Sequence, residues 1–173
     1  MMTKRLLSLC VFISLITVQA QVVSPSSAKL NWKNVSSHYT GFSQIKPSLV
    51  NEGEESIFLS RIWPHGYAQL MRFNDKTESW ELGNWGIGCG TVNNATVPIE
   101  IKSKTEQAVS VYWQLSTDDW DNPKHFMVEG SLERRPIRGK YKFFLRYSLK
   151  PWTLAHRPGP IYTIESQEFY VEK

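Results

Sequence analysis

From Lys140 to Leu149 the chain alternates, with Phe144 the one apolar residue on the polar side. Tyr141, Phe143, Leu145, Tyr147 and Leu149 fall on one side, and Lys140, Lys142, Arg146 and Ser148 on the other. Successive side chains of an extended strand point to opposite faces, so the spacing predicts a strand with one buried and one wet face. Ser56 to Trp63, Tyr67 to Phe73, Ser79 to Leu82, Thr96 to Lys104, Ala108 to Leu115, Ile161 to Ser166 and Glu168 to Val171 read the same way. Tyr67, Gln69, Met71 and Phe73 share one face of their strand. Asn74-Asp75-Lys76-Thr77 is the turn that returns it through Ser79 to Leu82 as a hairpin. Beyond the first twenty residues no apolar stripe of helical period occurs.

Short strands with turn signals at Asp118 to Pro123, Pro136 to Gly139 and Pro151 to Pro160 predict an all-β fold. The expectation is a single antiparallel β-sandwich, Ig-like by strand count, spanning residues 55–173. Residues 21–54 are expected as an N-terminal arm or as the first short strands, at Lys29 to Trp32 and Ser48 to Val50.

Residues 1–20 read as a signal peptide. Lys4 and Arg5 precede an apolar run from Leu6 to Val18, and Val18-Gln19-Ala20 closes it with cleavage-site spacing. The run is about 13 residues, whereas a spanning helix needs about 20. Cys10 stands too early, with no small residue directly before it, to read as a lipidation site. The expected location is therefore secreted or periplasmic, with no transmembrane segment after cleavage. Of the two cysteines, removal of the leader leaves Cys89 alone, so the sandwich is expected without an internal disulfide. Two of the 20 basic residues go with the leader, and the rest nearly balance the 16 acidic ones. A nucleic-acid binder needs a concentrated basic face. Arg134, Arg135, Arg138 and Lys140 read instead as a solvated turn.

Catalytic and metal chemistry find little support. His38, His65, His125 and His156 are scattered, without the close pair usual in zinc sites. Asp118, Asp119 and Asp121 surround Trp120, but the spacing is not that of an EF-hand, and Asp and Asn are ordinary turn residues. Gly86-Ile87-Gly88-Cys89-Gly90 would need His65 or His125 to make a thiol nucleophile. No catalytic residue, metal or cofactor is assigned. Asn34-Val35-Ser36 and Asn94-Ala95-Thr96 match the glycosylation pattern, which matters only in a eukaryotic source.

The tryptophans carry the binding expectation. Trp113 sits on an apolar strand face and Trp80 in the hairpin. Trp85, Trp120 and Trp152 fall in Gly-, Asp- or Pro-rich connections, where aromatic rings anchor a protein or glycan partner. The chain reads as a non-enzymatic binding protein. Two alternatives accompany it: a small hydrolase using Cys89 or a carboxylate pair, and a surface-assembly module that pairs through an edge strand, with Phe169-Tyr170-Val171 as the candidate edge.

Overall fold

A computed structural model describes residues 28–59, 68–83, 98–112, 115–116, 124–128, 133–151 and 159–173. Its strands are β1 (Leu30–Lys33), β2 (His38–Tyr39), β3 (Ser48–Asn51), β4 (Ile57–Leu59), β5 (Ala68–Asn74), β6 (Ser79–Leu82), β7 (Ile99–Ile101), β8 (Thr105–Ala108), β9 (Val111–Tyr112), β10 (Leu115–Ser116), β11 (His125–Met127), β12 (Arg134–Pro136), β13 (Gly139–Ser148), β14 (Tyr162–Glu165) and β15 (Phe169–Val171). One 3-10 turn, Phe42–Gln44, is the only helical element among the described residues. The protein is all-β, and its sheets do not close into a barrel.

The long alternating segment is the spine. β13 pairs antiparallel with β4, β5, β14 and β15, which a strand of ten residues is long enough to do at different points along its two edges. Tyr141, Phe143, Leu145 and Tyr147 are all buried, while Lys140 and Arg146 are exposed. Each apolar side chain removed from water contributes about 1.5–3 kcal/mol, so the four together orient the whole sheet.

Two three-stranded sheets pack on the buried side of this large sheet. In the first, β3 lies between β1 and β8, and the Trp32 ring of β1 sits 5.3 Å from that of Phe143. In the second, β11 lies between β10 and β12, and Phe126 meets Tyr141 edge-on at 5.8 Å. One core cluster gathers around Tyr141, Phe143 and Phe169, and another around Leu49, Ile57, Leu145 and Tyr147.

The β5–β6 hairpin forms at the expected place, with Phe73 opposite Trp80 and the Asn74 Oδ1 accepting from the Lys76 N–H to set the turn. Its buried face carries Ala68 and Leu70, so Met71 and Phe73 lie on the outer, half-buried face. Lys29 to Trp32 and Ser48 to Val50 come out as β1 and β3, paired to each other.

Three expectations need correction. The stretch Ala108 to Leu115 is not one strand. Val109 is buried and bonds to the Pro47 carbonyl, and the chain then supplies β9 to the large sheet and β10 to another. The chain changes partner after the buried Val109, and the alternation of its sequence does not record that change. The sheets are also not purely antiparallel: β2 with β15 and β5 with β9 are parallel pairings of two residues each. Finally, β15 is not a free edge, because β13 flanks it on one side and β2 on the other.

One half-buried ion pair ties the hairpin to β12. Glu81 accepts from Arg135 Nη1 at 2.7 Å and from Asn74 Nδ2 at 2.7 Å, and Arg135 also holds Glu133. The Glu81 and Arg135 side chains are each only 17% exposed. The Glu81→Ala variant should lose about 1.5–3 kcal/mol of stability, the usual cost of removing a partner from a charged hydrogen bond away from bulk water. Urea denaturation measures it, and a loss below about 0.5 kcal/mol would mean that solvent already screens the pair.

Candidate functional site

The tryptophans expected to bind, Trp85, Trp120 and Trp152, lie outside the described residues, as do Cys89, His65, His156, Asn94 and the Asp118 to Asp121 cluster. His38 and His125 are described and stand in different sheets, on β2 and β11. His38 stacks on Tyr170 at 5.8 Å, with its Nε2 2.9 Å from Glu172. Among the described residues no group of three His, Cys, Asp or Glu side chains is placed to hold a metal ion.

The described residues do form one groove, between two strand edges. β1 pairs only with β3, and β14 pairs only with β13, among the described residues. The two unpaired edges face each other across adjoining depressions of about 440 and 420 Å³, which share Leu30, Asn31 and Ile164. Every residue from Leu30 to Val35 lines the larger one. Consecutive residues point to opposite faces of a strand, so a surface touched by all of them runs along the edge, where the backbone lies. Ile164 and Glu165, also consecutive, make the opposite lip.

The apolar lining comes from Leu30 and Trp32 on β1 and Ile164 on β14, all half-buried and packed against the core. The Trp32 indole N–H is shielded from solvent and has no hydrogen-bond partner among the described residues. Gln167 Nε2 donates to the Val35 carbonyl at 2.6 Å and ties the lips together at one end. At the other end the lining passes to Ala28, Lys29 and Glu52.

Charges along the rim are mostly paired within the fold. Lys33 lies 3.5 Å from Glu106, whose carboxylate also accepts from the Ser48 hydroxyl. That hydroxyl, and then Lys33, holds Glu106 below the usual carboxylate range. Asn34 donates to Ser48 at 3.0 Å from a left-handed backbone conformation, φ 57°, which asparagine tolerates better than most residues. Glu165 is bonded to Lys142. Two lysines and two glutamates line the groove, so no net charge selects its ligand.

The outer face of the large sheet carries a second aromatic pair, Phe73 and Trp80. Lys142 lies 4.4 Å from the Trp80 ring centre and Lys140 4.9 Å from that of Phe73, and the two rings meet at 5.3 Å. The lysines cover the aromatic faces a flat ligand would need, and acids hold both ammonium groups: Glu165 for Lys142 and Glu168 for Lys140. The Arg134 to Gly139 segment is likewise committed locally. Arg135 holds Glu81 and Glu133, and Arg138 donates to the Tyr170 hydroxyl at 2.7 Å.

Nothing in the sequence pointed to the groove. The β1 strand was readable, but its facing lip lies more than 120 residues away along the chain, and single-strand patterns carry no information on which edges stay unpaired. No protein-family model matches the chain, and neither the curated proteins nor the solved structures contain a match to it.

Proposed function

We propose that this chain is a secreted or periplasmic, non-enzymatic binding module built as an Ig-like β-sandwich without an internal disulfide. The leader pattern of Lys4, Arg5 and Leu6 to Ala20 supports the address. The Trp32–Phe143 and Phe126–Tyr141 contacts, which lay two small sheets over one side of a large one, support the sandwich. The observation that carries the binding role is the groove between β1 and β14, a cleft at the side of the sheets whose lining mixes polar side chains such as Asn31 and Gln167 with apolar Leu30, Trp32 and Ile164. Lys33 and Glu165 of its lining pair with Glu106 and Lys142 beside it, and the described residues that line it include no histidine or cysteine.

The test is to express the full chain in a secreting host and present the exported protein to arrays of peptides and glycans. The exported protein should begin at Gln21 by mass spectrometry. It should retain a subset of ligands saturably and release them chemically unchanged. Retention of residues 1–20 in a cytoplasmic product overturns the address, and recovery of a cleaved ligand overturns the binding role in favour of a hydrolase.

A further inference from the structure

We propose that the mature chain is chemically blocked at its start: Gln21, once freed by cleavage after Ala20, closes onto its own side chain as pyroglutamate. The inference rests on the leader reading and adds a covalent step that follows cleavage. Lys4, Arg5, the apolar run Leu6 to Val18 and the Val18-Gln19-Ala20 ending make Ala20–Gln21 the bond to be cut. Before cleavage the Gln21 nitrogen belongs to that peptide bond and is no nucleophile. Afterwards it is an α-amine with an ordinary pKa of about 7.7–8.0, so at neutral pH roughly a tenth of the molecules present it as the free base.

The free amine attacks the Gln21 side-chain amide carbon, Cδ, at the spacing that closes a five-membered ring. The new N–Cδ bond forms, the Cδ–Nε2 bond breaks, and the side-chain nitrogen leaves as ammonia with the proton the amine gives up. No oxidant is consumed. Nucleophile and electrophile belong to one residue, which replaces a bimolecular encounter with an intramolecular one. Gln21 lies outside the described residues, and because the ring closes within that residue the step needs no contact with the fold. Residue identity decides it: cleavage one bond earlier or later exposes Ala20 or Val22, neither of which carries an electrophile.

The fold makes the block matter. The Lys29 carbonyl accepts from the Glu52 N–H at 2.7 Å, β1 follows at Leu30, and Ala28 and Lys29 line one end of the groove. An exopeptidase that grips a free α-ammonium and removes residues singly meets only residues 21–27 before it reaches this lip. The lactam end offers no ammonium to grip, and it removes the positive charge that cleavage creates. Pro25 is a second obstacle, since its ring nitrogen has no N–H.

The test uses the full chain exported from a secreting host and held in the culture medium before purification. Its tryptic N-terminal peptide should be lighter than linear Gln21 to Lys29 by one ammonia. Edman degradation should stall at once, and should proceed from Val22 after a pyroglutamyl peptidase removes the first residue. A synthetic linear Gln21 to Lys29 peptide, carried through the same purification and digestion, corrects for ring closure during handling. The Gln21→Ala variant should be exported alike with an open terminus, and an added aminopeptidase should shorten it while the wild type keeps its mass. An exported chain that starts at Gln21 and keeps its linear mass overturns this inference and leaves the address standing. Ring closure no greater than in the peptide control does the same. A chain that starts at Ala20 or Val22 overturns the cleavage site and this inference with it, and one that retains residues 1–20 overturns the address as well.

Discussion

Truncating Phe143 to alanine is expected to lower the unfolding free energy by about 3–5 kcal/mol, the range for deleting a fully buried aromatic side chain. Phe143 is completely buried, its ring 4.8 Å from Phe169 on the same sheet and 5.3 Å from Trp32 on the sheet above. It therefore joins the layers as well as filling the core. For a domain of this size each kcal/mol lowers the melting temperature by about 2–4 °C, so the midpoint should fall by roughly 6–20 °C. Phe143→Leu keeps most of the volume and should cost about 1–2 kcal/mol. Thermal unfolding followed by circular dichroism, with urea denaturation to check the slope, separates the two variants. A loss for Phe143→Ala below about 1 kcal/mol would mean that Trp32 and Phe169 collapse into the void, and that the sheets are held together elsewhere.

Legibility in the sequence followed the range of the interactions. β13, β14 and β15 appeared within a residue or two of their expected bounds, because their alternation contrasts Tyr141, Phe143 and Leu145 with Lys140, Lys142 and Arg146. The β5–β6 hairpin was legible for the same reason, with Asn74 marking its turn. The Ala108 to Leu115 stretch misled because alternation reports which side chains are buried and is silent on what buries them. Val109 is covered in one layer, and its neighbours then pair in two other places. The hairpin's faces were ambiguous too. Met71 and Phe73 are as apolar as Ala68 and Leu70, and only the neighbouring layer decides which pair goes inside.

The groove lay beyond sequence reasoning altogether. Which edges remain unpaired depends on the total strand order, and the residues that face each other across it, Leu30 and Ile164, are joined by no local pattern. Aromatic residues in loops drew attention because composition makes them visible. Trp32 was no less visible, but its role depends on Phe143 below it and on the unpaired edge beside it.

The second large effect concerns pH. Tyr141 is fully buried among Phe42, Phe126 and Phe169, with its hydroxyl donating to the Ile137 carbonyl. Burial pushes this phenol above the ordinary tyrosine value, and the positive charge of the nearby Arg72 only partly offsets it. The folded protein thus keeps the Tyr141 proton at a pH where the unfolded chain has released it. Stability from this group is complete below the unfolded value of about 10 and declines as pH rises toward the higher folded value, by up to about 1.4 kcal/mol per pH unit. Tyr141→Phe cannot ionise in either state. At neutral pH it should be less stable than wild type by about 1–3 kcal/mol, because the Ile137 carbonyl loses its partner in the core. Above about pH 10 that gap should shrink, by about 1.4 kcal/mol at pH 11. Urea denaturation of both proteins from pH 8 to pH 11 measures the difference directly, and groups that titrate alike in the two proteins cancel. A gap that stays constant across that range would show that the Tyr141 hydroxyl ionises as readily inside the fold as outside it.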